Sequence, residues 1–290
     1  THAPLLRRHT GIAPGMAGLH AATVDPVTLV RCNRRFMGVA EQMGATLERT
    51  AHSVNMKERL DFSCAVFDEN GGLVANAPHM PVHLGSMGES VASVATRNKG
   101  KLKPGDAIML NDPYHGGTHL PDVTVVMPVF LENDSAPNYF VASRGHHADI
   151  GGTTPGSMPS NSVHIDEEGV LLDNVYLLRE GVLQEDDVRE RLLGARYPAR
   201  NPDQNLADLK AQIASCDKGI RELRRMCNEF GRHVVSAYMH HVQDNAENAV
   251  RRLLGSLQGG SAEYPLDNGA VICVTVDVDN TARTASIDFT

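Results

Sequence analysis

These 290 residues contain no CxxC pair, no even set of cysteines and no apolar run of membrane-spanning length. The five cysteines are Cys32, Cys64, Cys216, Cys227 and Cys273, mostly in apolar surroundings. An odd count in such settings fits reduced structural thiols in a cytoplasmic protein better than a disulfide framework. A membrane helix needs roughly 20 apolar residues, so no membrane partner is expected. Residues 1–19 include Arg7 and Arg8 but lack the apolar segment of a secretory signal. Positive charge is also short. The net charge is -8, and the tightest basic group, Arg221, Arg224 and Arg225, is interleaved with Glu222 and Glu229. That balance argues against nucleic acid as a partner. Internal repeats and low-complexity tracts are absent.

Hydrophobic residues make up 41%, enough for a core in one large domain or two modest ones. The pattern along the chain predicts an α/β fold, a mixed sheet with long helices. Residues 1–24 are polar and punctuated by Gly and Pro, which suggests an extended N-terminal arm. Apolar residues from Val30 to Leu47 recur at three- and four-residue steps after Asp25-Pro26, predicting a helix to about Arg49. A hairpin is expected over Asp61–Asp68 and Leu73–Ala75 around Asn70-Gly71, and a helix over Gly85–Arg97. Strand signals follow at 107–110, 123–130, 139–143 and 175–178, and a short helix from Glu185. Leu206, Leu209, Ile213, Cys216, Ile220, Leu223, Cys227 and Phe230 form a heptad seam that stops at Gly231. A further helix over about 233–257 should turn Val235, Tyr238, Val242, Ala246, Val250 and Leu253-Leu254 inward. A hairpin is expected over 270–290. The chain starts at Thr1 and stops on a strand-like alternation, so a truncated portion of a larger domain is expected.

Six of the fourteen histidines lie between positions 79 and 147. His119-x-x-Asp122 carries the case for a metal. Two ligands three apart can reach one ion from a tight turn or strand start, and Pro121 and Gly116-Gly117 shape that turn. A third ligand from Gly145-His146-His147 would leave open positions for water or substrate. In an extended segment His146 and His147 point oppositely, so one of them is the ligand. Mn²⁺, Zn²⁺ and Fe²⁺ suit such a set about equally, with Mg²⁺ a further candidate. Asp112, His115 and Asp149 are acid–base candidates. His79 and His83, in a loop fixed by Pro78 and Pro81, and the cations Lys57, Arg59 and Arg144 are candidates for holding a substrate carboxylate or phosphate.

These stretches resemble the hydantoinase B-like family, which includes ATP-dependent 5-oxoprolinase, N-methylhydantoinase and the large subunits of acetone and acetophenone carboxylases. The resemblance rests on Lys57-Glu58-Arg59-Leu60-Asp61-Phe62-Ser63-Cys64-Ala65, Pro81-Val82-His83-Leu84-Gly85-Ser86-Met87, Gly117-Thr118-His119-Leu120-Pro121-Asp122 and Val141 through Gly152. Gln204-Asn205-Leu206-Ala207-Asp208-Leu209 extends it. It implies a B-like domain over 25–290, partial at its C-terminal side, and a hydantoinase A-like subunit or domain as partner. That partner would use ATP to activate a small-molecule lactam such as 5-oxoproline. The B-like module would then complete hydrolysis to glutamate, within an oligomer. It implies a divalent metal on His119, Asp122 and one of His146 or His147. A ketone carboxylase large subunit and a non-catalytic metal-binding assembly module are the alternatives. The chain has no ATP motif of its own.

Overall fold

The computed structural model describes residues 24–290 apart from 78, 84 and 133. The arm expected over 1–24 therefore lies, up to residue 23, outside the described residues. In chain order the elements are α1 (Pro26–Thr50), α2 (Val54–Lys57), β1 (Phe62–Phe67), β2 (Leu73–Asn76), α3 (Ser86–Arg97), β3 (Ala107–Leu110), β4 (Asp122–Val129) and β5 (Tyr139–His146). There follow β6 (Val175–Arg179), β7 (Val182–Leu183), α4 (Glu185–Gly194), α5 (Pro202–Phe230), α6 (Arg232–Leu254), β8 (Gly260–Pro265), β9 (Val271–Asp279) and β10 (Thr284–Asp288). This is the expected α/β architecture with long helices.

Seven strands form one sheet in the order β2-β1-β5-β4-β3-β6-β7. Every pairing in it is antiparallel. Side chains along a strand alternate between faces, and the two faces carry two cores. Val123, Val125, Met127 and Val129 of β4 join Tyr139 and Val141 of β5 against α1 and α5. Val126, Phe140 and Ala142 pack on the opposite face with Met87, Val91 and Val94 of α3. The helix caps follow from sequence. Asp25 accepts from Thr28 N at 2.9 Å ahead of Pro26, and Asn201 accepts from Gln204 N at 3.2 Å ahead of Pro202. Gly231, at φ +87°, ends α5 in a backbone conformation that favours glycine.

The heptad face of α5 lies on α1 and on β4 and β5. Its polar members are satisfied there. Gln212 is fully buried and donates to the carbonyls of Val123 (2.9 Å) and Ser143 (3.1 Å). Cys64 and Cys216 are buried in the same layer, and burial pushes both thiols up, Cys216 to about 12, as befits inert packing residues. Two expectations change. Val235 and Val242 of α6 are buried, but Val250 and Leu253 are each 56% exposed, and Ala246 is exposed too. α6 is about 35 Å long, and the second half of its apolar side lies exposed. The C-terminal hairpin gains a third strand, because β8 pairs with β9 in a separate sheet ordered β10-β9-β8. Among the described residues no helix is long and apolar enough to cross a membrane.

Buried Asn111 fastens the loop after β3. It donates to the carbonyls of Leu120 (2.8 Å) and Val170 (2.9 Å) and accepts from Leu172 N at 2.7 Å. Asn111→Ala leaves these groups unpaired, each worth about 1–3 kcal/mol. The urea midpoint should fall by an amount equivalent to at least about 2 kcal/mol, with the slope of the transition unchanged.

Candidate metal centre

Strand parity assembles the site. Asp122 and Thr124 of β4, Arg144 and His146 of β5, and Ser63 of β1 share the face that carries α3. In the register Asp122 is the cross-strand partner of His146, and Ser63 that of Arg144. His119 arrives from the loop that ends at Asp122, which closes on itself as Asp122 N donates to His119 O at 3.1 Å. The glycines before it are required by close approach. A Cβ on Gly117 would stand 2.3 Å from the Asn111 carbonyl oxygen, and one on Gly116 (φ +101°) 2.8 Å from that of Glu89.

The carboxylate of Asp122, 3% exposed, is the centre of the cluster. Its Oδ2 lies 3.1 Å from His83 Nε2, 3.3 Å from His119 Nδ1 and 3.4 Å from Thr118 Oγ1. Its Oδ1 lies 3.2 Å from His146 Nδ1, yet accepts no well-aligned hydrogen bond. Burial alone would raise this carboxyl. The contacts with His146 and His83 and the charge of His119 outweigh burial and hold it well below the usual carboxylate range. His119, His146 and Asp122 offer ligand atoms that all lie within 4.8 Å of one another. Two imidazole nitrogens and an oxygen that lacks a hydrogen converge on one point. That donor set fits a divalent cation.

The alternation along β5 also separates the adjacent histidines. His146 enters the cluster. His147, fully buried, points to the other face, where Nε2 meets Gln212 Oε1 at 3.2 Å and Asn205 Nδ2 reaches Nδ1 at 3.1 Å. His83 stands on Asp122 instead of in a substrate loop, and its Nδ1 pairs with Ser63 Oγ at 2.8 Å. Asp61 Oδ2 is 3.9 Å from His146 Nδ1. Sequence reasoning did not attach His83, Ser63 or Asp61 to the metal set. Only the β1–β5 pairing and the turn at Pro81–His83 bring them there.

The other candidates are dispersed. Arg144 is fully buried beneath α3, donating to Thr124 Oγ1 (2.8 Å), Ser86 Oγ (2.6 Å) and Ser90 Oγ (2.8 Å). Burial pulls it down to about 10, partly opposed by the field of Asp122. Asp149 serves a loop. It accepts from Gly151 N, Gly156 N and Arg200 N and pairs with the Arg200 guanidinium at 2.7 Å. Lys57 and Arg59 are exposed and make no ion pair among the described residues. His79 accepts from Cys64 N through Nδ1 at 3.3 Å, and its ring lies 4.8 Å from that of Phe62.

Asp112 and His115 form a second group beside the first. Asp112, 5% exposed, meets His115 Nδ1 at 2.7 Å and accepts from Tyr114 N at 2.9 Å. Asp173 Oδ2 lies 3.4 Å from the same imidazole nitrogen, and the Arg97 guanidinium holds Asp173 through both oxygens. The His115 ring lines an open cleft of about 560 Å³ between α3 and the β3–β4 loop, with Ser86, Arg97, Tyr114 and Gly117.

An antiparallel sheet clasped between helices, with a His/Asp cluster able to hold a metal ion at the ends of its central strands, defines a protein of the α/β class. Residues 25–290 match the family described as Hydantoinase B/oxoprolinase, and the chain belongs to that family. The 5-oxoprolinase of Dictyostelium discoideum is 42% identical over 287 residues, covering 96% of this chain and 22% of that protein. The crystal structure of the ATP-dependent caprolactamase from Pseudomonas jessenii superposes with a TM-score of 0.81 at 28% identity, covering 92% of this chain and 46% of that one. The nucleotide-free acetone carboxylase structure shares the fold, with a TM-score of 0.76 at 17% identity, covering 91% of this chain and 37% of that one. The chain thus spans about a fifth of the length of the curated 5-oxoprolinase it matches.

Burial lowers the proton affinity of His79, with a smaller contribution from His83. A group whose folded pKa lies below its unfolded value of about 6.5 takes its proton first in the unfolded chain. Its share of stability is complete above about pH 6.5 and is lost as the pH falls below it. Stability measured by urea unfolding should decline from pH 7 to pH 5, and His79→Gln should flatten that decline.

Proposed function

We propose that this chain supplies the metal centre of an ATP-dependent lactam-hydrolysing enzyme of the 5-oxoprolinase type. It would work with a hydantoinase A-like subunit or domain that uses ATP to activate the cyclic amide. The observation that carries this reading is the convergence of His119, His146 and the unsatisfied Oδ1 of Asp122 in a member of the hydantoinase B/oxoprolinase family. His119, Asp122 and His146 would hold a divalent ion such as Mn²⁺, Zn²⁺ or Fe²⁺. When bound, such an ion polarises a carbonyl and lowers the pKa of water.

The remaining steps fall to the chain's own side chains. Ser63 and His83 fix the orientation of Asp122, since the His83 ring bridges Ser63 Oγ and Asp122 Oδ2. Asp112 takes the Nδ1–H of His115 and leaves Nε2 free to accept a proton from water or return one to the departing ring nitrogen. Exposed Lys57 and Arg59 are placed near the strand that leads to Ser63 and are free to meet the substrate carboxylate. Arg144 acts from beneath, tying β5 to Ser86 and Ser90 of α3. His147 and Asp149 are structural in this scheme.

Titration with Mn²⁺ and Zn²⁺, read by calorimetry and metal content, separates the roles. His119→Ala and His146→Ala should each weaken binding by on the order of 100-fold or more, and His83→Ala by about 10–100-fold. His147→Ala should keep the metal and lose stability. With an A-like partner, ATP and 5-oxoproline, the wild-type chain should support glutamate release. His115→Ala should abolish most of that turnover with metal content intact. Full metal affinity in both His119→Ala and His146→Ala sinks the proposal.

A further inference from the structure

The C-terminal sheet is amphipathic, and among the described residues its apolar face has no cover. Side chains alternate along a strand, and the register of β8, β9 and β10 sorts them. Ala262 and Tyr264 of β8 stand across from Val274 and Ile272, and Ala285 and Ile287 of β10 from Val278 and Val276. The residues between them form the other face. There Thr275 lies across from Ser261 and Asp288, Cys273 from Glu263, Asp277 from Ser286 and Asp279 from Thr284. The hydroxyls of Ser261 and Thr275 meet on that face at 3.1 Å. One face is therefore apolar and free of charge, and the other carries Glu263, Asp277, Asp279 and Asp288.

Such alternation belongs to an antiparallel sheet with one face in water and the other packed. The acidic face is the wet one, but the apolar face is not packed. Tyr264 is 69% exposed, Ile287 61% and Ile272 46%. Ala262 and Ala285 are exposed as well, and Val274, Val276 and Val278 are only half-buried. Phe289, which continues the parity of Ile287 just past β10, is 69% exposed. In the seven-stranded sheet the corresponding valines of β4 are fully buried under helices. Here the end of α6 grips the β9–β10 turn instead. Asn280 Nδ2 donates to the carbonyls of Leu254 (2.7 Å) and Leu257 (2.8 Å), and Arg251 Nη1 donates to that of Arg283 (3.2 Å). That grip fixes the sheet on the molecule and leaves its apolar face open.

We infer that this face is an interface between two copies of the chain, stacked sheet on sheet about 10 Å apart across a twofold axis. Its chemistry suits a second copy. The face bears no charge, so stacking it on itself buries none. Stacking also turns the two acidic faces to opposite sides of the sandwich, farther apart than the screening length of about 8 Å in physiological salt. The apolar residues of the face, with Phe289, expose roughly 700 Å² per copy, close to the 800 Å² or so that each partner contributes to a stable interface. The inference is independent of the metal centre.

Sedimentation of the 290-residue protein across a concentration series tests this. A monomer–dimer equilibrium is expected, with a dissociation constant below about 10 μM. Ile287→Asp and Tyr264→Asp each place a charge inside the stack and should weaken the dimer by about tenfold or more. Both side chains are exposed, so the far-ultraviolet circular dichroism should not change. Ser286→Lys, on the acidic face of the same strand, should leave the dimer intact. A monomer at every concentration up to about 200 μM overturns the inference and leaves the face to a different chain. A dimer that survives both apolar-face substitutions overturns it too, because association then uses another surface. So does growth beyond dimers, since a twofold stack closes on itself.

Discussion

The buried carboxylate of Asp122 is the constraint around which the rest is arranged. An anion taken out of water is costly unless close partners replace its hydration. Here the replacements come from three separate segments: Thr118 and His119 in its own loop, His83 from the turn before α3, and His146 from β5. Each must be delivered to within about one hydrogen-bond length, and each delivery fixes part of the fold. The β4–β5 register sets His146 opposite Asp122. Gly116, Gly117 and Asn111 hold the loop that brings His119 round. Arg144 ties the floor of the site to α3 through Ser86, and the Ser86 hydroxyl in turn donates to the carbonyl of His83 at 3.1 Å.

The same strands serve core and chemistry by changing composition partway along. From Tyr139 to Ala142 β5 is apolar on both faces and welds α5 to α3 through the sheet. From Ser143 to His147 it is polar on both faces. Toward α5 the polarity is absorbed by Gln212 and Asn205, so that face stays packed and dry. Toward α3 it is absorbed only in part. Arg144 is satisfied by hydroxyls, whereas Asp122 Oδ1 is left without a hydrogen. An unsatisfied acceptor beside an imidazole costs stability, and a cation held there would relieve that cost.

Much of this was legible in the sequence, for local reasons. The helices announce themselves by period and punctuation. Pro26, Pro202 and Gly231 mark ends that the structure reproduces. Period-two parity was enough to separate His146 from His147, and the three-residue spacing across a tight turn to place His119 with Asp122. What could not be read depends on pairings distant in sequence. His83 reaches Asp122 across 39 residues, and Asp173 reaches His115 across 58. No spacing rule encodes either contact. The inward face predicted for the second half of α6 failed for a related reason. Periodicity reports that a helix has an apolar side, not that another element is there to cover it.

The second His/Asp group shows why ligand counting needs charge as well as geometry. Asp112, His115 and Asp173 approach one another as closely as the ligands of the first cluster do. In the first cluster, however, no guanidinium or ammonium group among the described residues pairs with Asp122, and one of its oxygens is unsatisfied. In the second, Arg97 already neutralises Asp173 through both oxygens, and the Asp112 carboxylate is matched to the imidazole N–H and to a backbone amide. A divalent ion there would have to displace an arginine that is already in place. The arrangement suits instead an imidazole whose tautomer is fixed by a buried carboxylate and whose other nitrogen faces an open cleft. Ser86 and Gly117 line that cleft, and they adjoin His83 and Thr118 of the metal set. Two adjacent groups built from the same residue types thus suit different tasks under the proposed function, one to hold a cation and one to move a proton. What separates them is where the nearest arginine lies.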